Sequence, residues 1–191
     1  MRMRELSAAM LAIVVLAGAI SAQAQSRYGI GRPAASAEIA GWNIDIDRYG
    51  NNLPPGSGSV GRGHEIFDQQ CSACHGASGE GGIGDQLAGG QGTMASKKPI
   101  RTVGSYWPYA PTLFDYIRRA MPQNAPESLS NDDVYAVSAY ILNLNGLLPA
   151  DATLDAKALS AIKMPNRDKF VGDPRPDVRN PECIRDCGAS K

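Results

Sequence analysis

Aromatic side chains are scarce in this 191-residue chain, at 6% of all residues, and histidine occurs twice. Glycine (21) and proline (13) are plentiful instead. A chain of this kind has long loops and a limited apolar core, and it gains from a large internal apolar body such as a cofactor. Charge of one sign is also missing: 19 basic residues balance 19 acidic ones, and no basic block argues for nucleic acid. There is no internal repeat and no GxGxxG or Walker pattern, so nothing points to a nucleotide.

Long apolar runs are absent but for one at the start. "MRMRELSAAMLAIVVLAGAISAQAQ" has a basic beginning (Arg2, Arg4), an apolar run from Ala8 to Ile20 and then Ala22-Gln23-Ala24. That is the layout of a secretory signal peptide. The run is short for a membrane anchor, which needs about 20 residues. Cleavage is expected after Ala24, leaving 167 residues, no membrane anchor and a periplasmic product in a Gram-negative cell. Removing Arg2, Arg4 and Glu5 takes the charged residues to 17 basic and 18 acidic.

Residues 26–60 read as irregular, with one short helix near Ser36 to Ala40 and a turn-rich "NNLPPGSGS". A helix is predicted over Val60 to Gln70, with Ile66 and Phe67 on its apolar face. Gly76 to Gly92 is a glycine-rich loop. A second helix is predicted from Thr112, with Leu113, Tyr116 and Ile117 at helical spacing, stopping at Met121 before Pro122. The clearest helix begins at Ser130, whose hydroxyl suits the free first-turn amides, with Asp132 and Asp133 at the positive end. Val134, Val137, Tyr140, Ile141 and Leu144 form its stripe, and Asn145-Gly146 ends it. Beyond that the chain reads as extended and proline-rich.

"CSACHG", residues 71–76, carries the chemistry. C-x-x-C-H is the attachment signature of haem c. Two thiols separated by two residues reach both vinyl groups, and the next residue offers its imidazole to the iron. Cys71 and Cys74 are therefore the covalent positions and His75 the first axial ligand. A thioredoxin-like motif needs a βαβ surround, and none is visible. A zinc site needs about four ligands, but the only other histidine is His64 and the other cysteines lie over a hundred residues away. A disulfide-stabilised module without haem is the remaining alternative.

For the second ligand the candidates are Met94, Met121, Met164 and His64. His64 is on the attachment side and reads as a surface residue. Met94 and Met164 read as core filler. Met121 stands at a helix-to-loop break, followed by Pro122, which cannot continue a helix. His/Met ligation closes both axial positions and favours electron transfer. Cys183 and Cys187 read as a local disulfide in the tail, with a redox-active pair as the alternative. Trp107, beside Tyr106 and Tyr109, and Arg101 offer donors to a haem propionate; ordinary loop packing accounts for them equally well.

Gly63, Phe67, Cys71 and Cys74 follow one helical face, and Val137 and Tyr140 are spaced to pack against it. This contact resembles the class I cytochrome c fold. The runs "GRPA", "EIAGWNIDI", "LPPGSGSV", "LAGGQGT", "TVGSYWPYAPTLFDYIRRAMP", "DDVYAVSAYILNLN" and "KMPNRDKF" further resemble the SoxD family, the cytochrome c subunit of sulfane dehydrogenase. The resemblance implies an all-α, class I cytochrome c-like haem domain with irregular N- and C-terminal extensions. It divides the chain into a signal peptide (1–24), an irregular extension (25–57), a monohaem domain (58–148) and an extended tail (149–191). It implies one covalent haem c, electrons from a molybdenum-containing, sulfite-oxidase-like subunit, and a soluble cytochrome c as acceptor. No catalysis is expected from the chain alone. A free electron carrier and the electron subunit of another molybdenum enzyme, such as a sulfite dehydrogenase, are the competing readings. The extensions are expected to dock on the partner through Trp42 and Ile44, or else to wrap their own domain.

Overall fold

A computed structural model describes residues 31–172. The chain divides between Asn43 and Ile44 into two units. In the first, the described residues hold one helix, α1 (Ser36–Trp42). Glu38 closes its start: the carboxylate accepts the Ala35 amide at 2.7 Å and Arg32 Nη1 at 2.8 Å. The Arg32 bond, and then the Ala35 amide, hold the Glu38 carboxyl below its usual range. No residue of α1 is buried, and Trp42 is 88% exposed. A seven-residue helix has no independent stability.

The second unit begins with a short strand, β1 (Ser57–Ser59), and runs directly into α2 (Val60–Gln70). One turn, α3 (Ser72–His75), follows. After a long loop come α4 (Ala110–Ala120), α5 (Asn131–Leu144), a second strand β2 (Thr153–Asp155) and α6 (Ala156–Ala161). The fold is helical apart from the antiparallel pairing of the two strands, with Gly58 opposite Leu154.

Local chemistry accounts for the helix starts. Ser59 Oγ accepts the Arg62 amide and Ser130 Oγ the Asp133 amide, both at 3.2 Å. Helix α4 starts two residues earlier than the spacing predicts, because Pro111 sits in its first turn, where a missing N–H costs nothing. Its buried face is Ala110, Leu113, Phe114 and Ile117; Tyr116, expected inside, is 49% exposed. Phe114 packs on Tyr135 of α5 with ring centres 4.4 Å apart. Helix α5 is buried continuously from Val134 to Leu142, not along one stripe, and Leu144 is half-buried. It is the central element, touched by α2, α4 and both strands.

The tail departs furthest from the extended reading. Leu154, Leu159 and Met164 are fully buried, so residues 153–164 complete the core. Met164 is the core filler expected. Met94 is not: it is half-buried and lines a small cleft of about 210 Å³ with Gln91, Ser105, Asn166 and Lys169.

The α2 crossing of α5 forms as the spacing predicts, with Ala136 as the residue facing Gly63. A Cβ at Gly63 would lie 1.9 Å from the Ala136 carbonyl oxygen, and one at Gly58 would lie 2.2 Å from the Ala136 nitrogen. Backbone atoms of a buried helix cannot swing aside. Gly63→Ala is therefore expected to destabilise the haem-loaded protein by about 1–3 kcal/mol, the usual cost of overpacking. Urea unfolding checks this; a midpoint equal to wild type would show that the helices have room to part.

Candidate haem site

Helix α2 delivers the motif. The Cys71 amide continues its ladder to the Phe67 carbonyl at 2.8 Å, and the Cys74 and His75 amides both turn back to the Cys71 carbonyl, at 3.1 and 3.0 Å. One turn thus presents Cys71, Cys74 and His75 together. Both thiols are free; Cys71 is half-buried and Cys74 exposed. Burial, and then the neighbouring Cys74, push the Cys71 thiol up to about 11. A redox-active CxxC thiol is shifted the other way, toward the thiolate.

His75 is held by its far nitrogen. Nδ1 lies 2.7 Å from the Asp85 carbonyl oxygen. A carbonyl only accepts, so Nδ1 carries the proton and Nε2 keeps a lone pair for a metal. The loop that supplies Asp85 grips α3 by its backbone: the Gly81 amide donates to the His75 carbonyl at 2.7 Å and the Gly84 amide to the Cys74 carbonyl at 2.8 Å. Gly84 makes room for the ring, since a Cβ there would stand 2.8–3.2 Å from three imidazole atoms. The loop is fixed in turn by buried Asn145. Its Nδ2 donates to the Leu87 carbonyl at 3.0 Å, and its Oδ1 accepts the Gly89 amide at 3.1 Å. Sequence reasoning missed these three roles. Asp85 acts through its main chain, which no residue type advertises, and Asn145 was read as a helix end alone.

Met121 comes from a different element. It follows α4 with extended backbone (φ −122, ψ 145), bonds its amide to the Ile117 carbonyl at 3.0 Å and is half-buried against the core. His64 is exposed; it stacks on Tyr140 at 4.7 Å and lies 3.4 Å from Asp68. Trp107 is half-buried and meets Tyr116 edge-on at 5.9 Å. Arg101 is exposed, its guanidinium 5.6 Å from the Tyr106 ring centre. Cys183, Cys187 and the predicted signal peptide lie outside the described residues. Among the described residues, no group of three or more His, Cys, Asp or Glu is placed to hold a metal ion.

Two unpaired thiols on one turn, an imidazole with its tautomer set, and a glycine cradle beside the ring fit a covalently attached haem. The comparisons with known proteins agree. The family model described as cytochrome c matches residues 60–145. A chain in the crystal structure of the sulfane dehydrogenase SoxCD from Paracoccus pantotrophus is similar over 86% of this chain and 84% of that one, at 37% identity and a TM-score of 0.73. No curated protein matches.

The cradle makes a test. Gly84→Ala sets a methyl carbon within 3 Å of an imidazole already fixed by its Asp85 bond. The haem-loaded variant is expected to lose about 1–3 kcal/mol of stability and to show a perturbed ferric low-spin spectrum. Wild-type stability with an unchanged spectrum would mean that the ring has slack.

Proposed function

The chain belongs to the SoxD-like class I cytochromes c, which are electron-transfer proteins, and from that premise we propose that it is the single-haem, electron-accepting subunit of a periplasmic sulfane dehydrogenase whose catalytic partner holds molybdenum. The extent of the likeness carries this reading. The cytochrome c model spans residues 60–145, whereas the likeness to the SoxCD chain takes in 86% of the sequence and so reaches well into both extensions. A diffusible carrier needs only the compact haem core. The leader-like first 24 residues support export.

In this reading Cys71 and Cys74 hold the haem through thioethers, and His75 Nε2 and the Met121 sulfur hold its iron. Haem c supplies, when bound, a store for one electron at a time. The chain's own part is to keep that store closed and rigid. The Asp85 carbonyl fixes the imidazole, Gly84 admits it, and Asn145 pins the loop that carries both. Were His75 and Met121 both to hold the iron, no site would remain there for substrate, and sulfur oxidation would belong to the partner. Trp107 and Arg101 serve the propionates, and the onward acceptor is a soluble cytochrome c.

The segment before the haem domain is the proposed dock. Helix α1 exposes Trp42 and Ile39 and buries nothing. Ile44 belongs elsewhere: it is half-buried and its carbonyl accepts Arg118. Deleting residues 25–43 is expected to leave the haem spectrum intact and abolish co-purification with the molybdenum subunit. Retained co-purification would place the dock elsewhere. A pull-down of the full mature chain from its own periplasm, with metal analysis, tests the parent reading; absence of molybdenum would favour the free carrier. Met121→Ala is expected to lose the red sulfur-to-iron charge-transfer band and to lower the potential. An unchanged spectrum removes Met121 as ligand.

A further inference from the structure

Residues 44–54 lie outside the span matched by the cytochrome c model, yet their first residues, 44–48, meet α4 and the residue before it. Arg118 Nη1 donates to the Ile44 carbonyl at 3.4 Å. Asp115 Oδ1 accepts the Ile46 amide at 3.1 Å, and the Ile46 side chain is 5% exposed. The Arg48 guanidinium stands 5.8 Å from the ring centre of Tyr109, at the start of α4. As the strap advances from 44 to 48, its contacts retreat along the helix from 118 to 109. Ile44 and Ile46 thus meet Arg118 and Asp115, one turn apart on α4, before the chain turns at residues 48–49.

Asp115 fastens this pairing. It is a buried carboxylate, at 7% exposure, and such a group persists only when its oxygens are partnered. One oxygen takes the strap amide, and the other pairs with Arg119, one turn along. The strap itself is stiff. Asp47 Oδ1 accepts the Tyr49 and Asn51 amides at 2.8 and 2.9 Å, and the Pro54 carbonyl accepts the Tyr135 hydroxyl of α5 at 2.8 Å. Helix α4 is thus held between α5, through Phe114 on Tyr135, and a strap anchored to α5 at its far end.

Met121 is the first residue after that helix, bonded to its last turn. We propose that Asp115 is a positioning residue for the iron's second ligand: by fastening the strap to α4 it holds the last turns of the helix, and with them Met121, in place. This rests on the reading of Met121 as axial ligand. Imidazole competes with a methionine for that position, so its affinity for the ferric protein measures how firmly Met121 is held.

The experiment titrates ferric haem-loaded protein with imidazole and follows the shift of the main haem absorption band, together with loss of the red sulfur-to-iron band wherever Met121 is present. Asp115→Ala is expected to tighten apparent imidazole binding about tenfold. Asp115→Asn, which retains an acceptor for the Ile46 amide, is expected to lie between that and wild type, and it serves alone if the alanine variant does not fold. Leu154→Ala removes a buried side chain from β2 and controls for general loosening; its affinity is expected to match wild type. In a Met121→Ala background, Asp115→Ala is expected to add nothing. Wild-type affinity in both Asp115 variants, or an equal rise in Leu154→Ala, overturns the proposal while leaving Met121 as ligand. If Met121→Ala keeps the red band, the ligand assignment fails and the strap's role falls with it.

Discussion

Gly63 has no side chain, and the Ala136 carbonyl oxygen stands 1.9 Å from where one would begin. Gly58 meets the same residue from the strand side, 2.2 Å from its nitrogen. Between them they let α2 and β1 close on the backbone of α5, and the other elements take their places from that contact. Helix α2 ends in the cysteine pair, so the depth of the crossing sets where Cys71 and Cys74 stand. Phe67 then meets Tyr140 edge-on at 5.2 Å, sealing the same face one turn further along.

The site is made of backbone as much as of side chains. Three successive contacts from the glycine-rich loop hold α3: two amides on the Cys74 and His75 carbonyls and one carbonyl on the His75 ring. Glycine is needed where the loop passes closest, at Gly84 against the imidazole and at Gly82, where a Cβ would stand 2.8 Å from the Cys74 oxygen. A side chain at either point would force the loop away and release the ring. The glycine abundance that reads as weak structure thus supplies a close-fitting sleeve. Asn145, buried at the end of α5, transmits the position of the central helix to that sleeve.

The extensions divide by what they bury. Residues 31–43 carry a capped helix with nothing inside, while 44–54 and 152–166 contribute Ile46, Leu154, Leu159 and Met164 to the core. Both segments read as irregular because their apolar residues are isolated and show neither helical nor strand periodicity. Each needs only one or two anchors, since α5 and α4 offer faces that the compact haem core leaves uncovered. The same coverage explains why α5 is buried on all sides although its pattern shows one stripe. Ala136 is small enough to sit beneath Gly63 and Gly58 without announcing it.

The sequence by itself determined which residues are proposed to carry the chemistry. Cys71, Cys74 and His75 would act through their own functional groups at fixed local spacing, and a spacing of three or four residues is legible without a fold. Helices α2, α4 and α5 were legible for the same reason, because caps, prolines and stripes are local. Only the tertiary structure decided what holds those groups. The Asp85 carbonyl, the Gly84 cradle, the Asn145 anchor and the Asp115 fastening join residues as far as 69 positions apart. Three of the four act on or through main-chain atoms, which every residue possesses and which gain a role only from where the chain places them.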